Sequence, residues 1–135
     1  ISNYLSKGDI VFLYGEIGVG KTTFVKHLIN SLQFKSNNKI IEVPSPTFNI
    51  VYEYKIDELI IQHYDLYRVK SNMELKNIGI FENQKDSLTL VEWPEIIKEK
   101  PKNIIELNFN YEENLSKRSL IISSNYKKEI FNEFK

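Results

Sequence analysis

Cysteine is missing from all 135 residues, which excludes a disulfide framework and any thiolate-bound metal and fits an intracellular protein. Net charge is missing too: 18 basic and 18 acidic residues cancel, so no overall positive field announces a generic nucleic-acid clamp, only at most a local patch. Arginine is scarce. Sixteen of the basic residues are lysines, leaving Arg68 and Arg118 as the planar groups able to clamp a phosphate through two parallel hydrogen bonds. No apolar stretch approaches the roughly 20 residues that span a bilayer, and the N-terminal residues lack the basic, apolar, small-residue order of a signal peptide. The expectation is a soluble, cytoplasmic chain with no membrane partner. At this length it is read as one domain, residues 1–135, able to bury a single core. No internal repeat or low-complexity segment interrupts it.

Only five glycines occur, yet three of them, Gly15, Gly18 and Gly20, fall within residues 15–22, GEIGVGKT. This is G-x-x-x-x-G-K-[ST], a phosphate-binding loop, lying between the apolar run Ile10, Val11, Phe12, Leu13, Tyr14 and a segment of helical spacing. Glycines allow the backbone to curl so that successive N–H groups converge on phosphate oxygens at the positive end of the next helix. Lys21 then reaches the outer phosphates, and Thr22 offers a hydroxyl to a Mg²⁺ bridging them.

Residues 9–14 read as a buried strand, since their apolar run is continuous rather than alternating. Phe24, Val25, Leu28, Ile29 and Leu32 recur at helical spacing over residues 23–32, and His27 reads as a residue of that helix surface. Residues 33–39 are polar and turn-like, and residues 40–43 form a short strand ended by Pro44. Alternation over residues 48–54 and an apolar run at 59–64, across the turn 55–58, predict an antiparallel hairpin. Residues 73–80 read as a short helix ending near Gly79. Residues 88–91 are a second buried strand, 103–109 and 119–122 a late hairpin, and 125–134 a terminal helix with Ile130, Phe131 and Phe134 as its stripe. The fold class expected is α/β: a P-loop NTPase-like three-layer domain with a mixed central sheet, parallel around the loop and antiparallel at the margins.

Turning over a nucleotide requires an acid to hold Mg²⁺ or its water shell, typically at the C-terminal end of a neighbouring buried strand. Two segments have that form. Leu88-Thr89-Leu90-Val91 leads into Glu92, the first choice for the metal; Ile60-Ile61-Gln62-His63-Tyr64 leads into Asp65. Asp65 either orients water or supports the metal, or is a structural acid paired with Arg68. Ser45, Pro46 and Thr47 form either a plain turn or a switch whose threonine senses the outer phosphate or its metal. Trp93, the single tryptophan, is an interface or stacking residue if exposed and a core plug if buried.

GEIGVGKTTF at residues 15–24, SPTFNIVYEY at 45–54, HYDLYR at 63–68, ELKNIGI at 74–80 and LVEWPE at 90–95 together resemble the TsaE family, formerly called YjeE. The resemblance covers nearly the whole chain. It implies an ATPase that binds the TsaD and TsaB proteins; separately, no strong intrinsic general base is visible, so the free protein is expected to be slow. Its ATP hydrolysis keeps that transferase cycling in the threonylcarbamoyl modification of adenosine beside the tRNA anticodon, so tRNA is met indirectly through the complex. ATP and Mg²⁺ are the cofactors implied. By matching motif, Glu16, Ile17, Gly18, Val19, Gly20, Lys21, Thr22 and Thr23, with Gly15 before them, would hold the phosphates, and Thr22 and Glu92 would ligate Mg²⁺. Asp65 corresponds to the acid of the HxDLYR motif and Thr47 to the switch residue. Trp93 and Glu95 match the segment bordering nucleotide and partner. Arg118 falls where the family often has a Gly-Arg pair, with Lys117 here in place of the glycine. The family's longer segment ahead of the first strand has only residues 1–8 as its counterpart, so no adenine-recognition residue is assigned.

Two other functions compete. A small-molecule or nucleoside kinase shares the loop and the size, but such kinases close an arginine-bearing lid over the phosphates, and two arginines give little to build one. A nucleotide-dependent binding switch, with hydrolysis incidental, would use ATP to order the Thr47 segment and dock a partner.

Overall fold

The computed structural model describes residues 5–16, 18–36, 41–43, 50–111 and 118–126, and of residues 36, 41–43 and 118 the backbone alone. In chain order the elements are β1 (Ile10–Tyr14), α1 (Lys21–Ser36), β2 (Ile41–Val43), β3 (Val51–Ile56), β4 (Leu59–Asp65), α2 (Asn72–Asn77), β5 (Ser87–Glu92), β6 (Ile105–Tyr111) and β7 (Arg118–Ser124). Single 3₁₀ turns at Gln84–Asp86 and Pro94–Ile96 flank β5. The described strands form one sheet in the order β2-β3-β4-β5-β1-β6-β7. The four inner strands β4, β5, β1 and β6 run parallel, and the outer pairs β2–β3, β3–β4 and β6–β7 are antiparallel. This is the mixed α/β sheet that the sequence predicts.

Strand alternation builds two cores from the one sheet. Val11 and Leu13 of β1, Leu88 and Leu90 of β5, Ile61 of β4 and Leu107 of β6 pack with Val25, Leu28 and Ile29 of α1. Ile10, Phe12, Tyr64 and Val91 point to the other face and pack with Leu75 of α2 and Ile97. The central strand β1 is therefore apolar at every position, because both of its faces are covered. Each fully buried Leu or Phe of this kind contributes about 1.5–3 kcal/mol.

Several boundaries differ from the sequence expectation, each for a local reason. Helix α1 runs through residues 33–36, read beforehand as a turn: Gln33, Phe34, Lys35 and Ser36 include no glycine or proline to stop it. The first hairpin is shifted, with β3 continuing through Lys55 and Ile56 and the loop contracting to Asp57 and Glu58. Asp57, at φ 53°, takes the left-handed conformation that two-residue loops require. Helix α2 is capped by Ser71, whose side chain accepts from the Glu74 N–H at 3.3 Å, while Glu74 reaches back to the Lys70 N–H at 2.7 Å, a variant of the capping box. Gly79, at φ 68°, follows its end. Of the predicted terminal helix, 125–134, residues 125 and 126 are described and form a bend rather than a helical turn, and the rest lies outside the described residues. The Asn125 side chain donates to the Lys102 carbonyl and accepts from the Ile104 N–H, pinning the start of β6.

Candidate nucleotide site at the carboxyl edge of the sheet

The parallel strands β1, β5 and β4 end on one edge, at Tyr14, Glu92 and Asp65, and α1 begins there directly after the loop. Open parallel sheets bind ligands at this edge. The loop glycines Gly15, Gly18 and Gly20 all have positive φ (148°, 79° and 115°). At Gly15 the need is also steric. A Cβ there would lie 2.8 Å from Val19 Cγ1 and 2.9 Å from the Phe109 carbonyl oxygen, and backbone cannot yield as a side-chain tip can. Val19 in turn buries its side chain in the α1-side core and donates its N–H to Glu16. The first turn of α1 carries no acid that would repel an anion.

Above the loop lies a cleft of about 450 Å³ lined by Gly18, Gly20, Lys21, Thr22, Thr23, Asp65, Tyr67, Glu92 and Trp93. Lys21 is 5% exposed. Its Nζ donates to the Gly15 carbonyl and sits 3.5 Å from the Trp93 ring centroid, a cation–π contact. Burial holds the Lys21 ammonium below its ordinary pKa, against the opposing pull of the Glu92, Glu95 and Asp65 charges. Trp93 is half-buried and adopts φ 58°, ψ 53° immediately before Pro94, a strained left-handed backbone that aims its ring over the loop lysine. It is thus neither of the two sequence alternatives alone, since it packs on the α2-side core and also lines the cleft. The Tyr67 ring lies tilted against it, with centroids 5.0 Å apart.

Glu92 is 2% exposed, at the last position of β5. Its Oε1 accepts from Thr22 Oγ1 at 2.8 Å, and its Oε2 meets His63 Nε2 at 2.6 Å. Burial alone would push the carboxyl up, but the His63 hydrogen bond and charge, the Thr22 hydroxyl and the Lys21 charge together bring it below the usual glutamate range. Glu92 is therefore an ionised carboxylate facing a threonine hydroxyl. Such hard oxygen donors fit Mg²⁺, which takes one or two carboxylates or hydroxyls and completes its shell with phosphates and water. Among the described residues no group of three or more His, Asp or Glu could hold a metal alone.

Asp65 lies opposite Glu92 in the β4–β5 register, and its strand end is tied there by the Leu66 N–H to the Glu92 carbonyl (3.0 Å). Its Oδ1 accepts from the Tyr67 N–H at 3.2 Å. Asp65 and Arg68 line a second, smaller cleft of about 180 Å³ with Tyr52 and Tyr67. Among the described residues no ion pair joins the two, so the structural pairing with Arg68 is not found. Glu95 is exposed in the 3₁₀ turn after Trp93, close enough for its charge to act on Lys21. Glu16 and Thr23 are exposed beside the loop. Ile17, Thr47 and the Arg118 side chain lie outside the described residues. His63 had no assigned role in the sequence. The signal was its alternation with Ile61 and Asp65, which sets all three on the α1 side of β4.

The family model described as "Threonylcarbamoyl adenosine biosynthesis protein TsaE" matches residues 1–120. The chain belongs to the TsaE family. It is 40% identical over 128 residues to a Rickettsia conorii protein named tRNA threonylcarbamoyladenosine biosynthesis protein TsaE, covering 94% of this chain and 70% of that one. A protein of the same name from Haemophilus influenzae is 33% identical over 136 residues, with 97% and 81% covered. A third, from Rickettsia felis, is 42% identical over 98 residues, 73% of this chain, and there the match spans only about half of the relative, 55%. The fold is similar to the crystal structure of Bacillus subtilis YdiB, with a TM-score of 0.69 and 24% identity over 98% of this chain and 80% of that one. Among the described residues no helix of this TsaE-family chain is long and apolar enough to cross a membrane.

Proposed function

We propose that this chain is an ATPase that binds ATP with Mg²⁺ at the cleft above residues 15–22. On this reading its hydrolysis supports the TsaD–TsaB threonylcarbamoyl transferase in making threonylcarbamoyladenosine in tRNA. The observation that carries the reading is the convergence of Lys21, Thr22 and Glu92 in one cleft at the carboxyl edge, with Thr22 Oγ1 2.8 Å from Glu92 Oε1. The family name supplies the tRNA modification.

In this reading the loop amides and Lys21 bind the β- and γ-phosphates of ATP and absorb charge as water attacks the γ-phosphate in line. Thr22 and Glu92 would hold Mg²⁺, which when bound neutralises phosphate charge and orients the transferring group. Lys21 must exchange the Gly15 carbonyl and the Trp93 face for phosphate oxygens, a move of its flexible stem alone. Asp65, across from Glu92 on the same edge, places the attacking water, alone or with a partner residue. No strong intrinsic general base is visible in the sequence, so the isolated protein is expected to be slow. Measuring phosphate release with and without TsaD and TsaB tests this. Stimulation of tenfold or more supports a partner-completed site, whereas equal rates contradict it.

A further inference from the structure

We propose that His63 is a positioning residue for the metal site: by binding Oε2 of Glu92 it keeps Oε1 turned toward Thr22 and the ion. The inference rests on the reading of Thr22 and Glu92 as Mg²⁺ ligands. It starts from how the two carboxylate oxygens are divided. Oε1 takes the Thr22 hydroxyl at 2.8 Å and Oε2 takes His63 Nε2 at 2.6 Å, so the carboxylate is held from two elements at once, α1 and β4. An ionised carboxylate only accepts, and the nitrogen facing it is therefore the one that carries the proton. The contact is out of water, with the His63 and Glu92 side chains 8% and 3% exposed.

His63 is itself fixed. It sits in mid-strand on β4, opposite Leu90 of β5 and opposite Tyr52 of β3 in the two registers, and its ring lies against the Tyr52 ring at 6.3 Å. The strand pairing thus sets the height of the imidazole at the Glu92 side chain, and Tyr52 backs it from the neighbouring strand. Among the described residues the two other ion pairs, Lys7–Asp86 and Lys100–Glu106, have at least one partner well exposed and serve no cleft residue. Outer-shell partners of this type orient a ligand before the metal arrives, and their loss typically costs 10–100-fold in metal affinity.

The test titrates Mg²⁺ against binding of a fluorescent, non-hydrolysable ATP analogue, so that its readout is ion requirement rather than turnover. His63→Phe keeps a ring against Tyr52 and removes the donor; His63→Gln restores an N–H of similar reach. The expected result is a Mg²⁺ requirement raised about tenfold or more by His63→Phe, with binding in EDTA changed less than about twofold. His63→Gln should recover most of the loss. Glu92→Gln is measured alongside, and the double substitution with His63→Phe should add little to it, because the two act through one carboxylate. A Mg²⁺ requirement unchanged in His63→Phe while Glu92→Gln raises it overturns the role of His63 alone. An unchanged requirement in Glu92→Gln overturns the metal reading and the role of His63 together. If His63→Phe does not fold, His63→Leu, which also lacks the donor, takes its place: a Mg²⁺ requirement raised about tenfold or more supports the proposal, and an unchanged requirement overturns it.

Discussion

The Lys21 ammonium is held by the Gly15 carbonyl and the face of Trp93, and on the proposed function it is expected to move to the phosphates when ATP binds. Because Trp93 is the only tryptophan, its emission should change when ATP and Mg²⁺ are added. Lys21→Ala should abolish that change and weaken ATP binding by about tenfold or more, the value of one lost charge-assisted phosphate contact. Equal fluorescence responses in wild type and Lys21→Ala would contradict the exchange. Glu92 makes a prediction of pH. Its folded pKa lies below the ordinary 4.5, so its ion contributes stability that is present above pH 4.5 and lost as pH falls through the folded value. Denaturant titrations from pH 6 downward should show this loss in wild type and a shallower acid slope in Glu92→Gln.

At the scale of elements, the loop and its strands account for what the sequence could and could not show. The unit from β1 through the loop to α1 was legible because its glycines, lysine and threonine are contiguous and flanked by an unbroken apolar strand. Glu92 was legible for a similar reason, standing at the end of an apolar run. His63 was not: a polar residue in mid-strand reads as a buried side chain, and its partner lies 29 positions away on another strand. Nor was the left-handed backbone of Trp93 visible, since nothing in Glu-Trp-Pro announces it. The hairpin boundaries moved because the turn residue Asp57, rather than the alternation before it, sets the register. A prediction belongs to the loop itself. Gly15→Ala would drive a Cβ against the Phe109 carbonyl and Val19 at a positive φ, and should cost about 1–3 kcal/mol in urea unfolding. Stability within 0.5 kcal/mol of wild type would show that the loop does not need the conformation described.

Across the molecule, a single sheet with apolar residues on both faces positions a polar cleft along one edge. Its stability and its site therefore respond to different stresses. Tyr64, in the core on the α2 side, has its hydroxyl pushed up to about 12 by burial and by the Glu53 and Glu82 charges. A raised tyrosine stabilises the fold fully below its ordinary value of 10 and loses that contribution as pH rises toward 12. Tyr64→Phe should flatten the alkaline unfolding curve between those values, with Mg²⁺-dependent nucleotide binding unchanged at pH 7.5. On the proposed function, nucleotide turnover at Lys21, Thr22 and Glu92 along this edge would drive a partner's chemistry on tRNA. Its most direct test is multiple-turnover tRNA modification by the TsaD–TsaB pair, supplied with wild-type chain, Lys21→Ala or Glu92→Ala. The expected result is sustained modification with wild type and, with either variant, a halt after about one turnover; undiminished multiple turnovers with both variants would contradict the account.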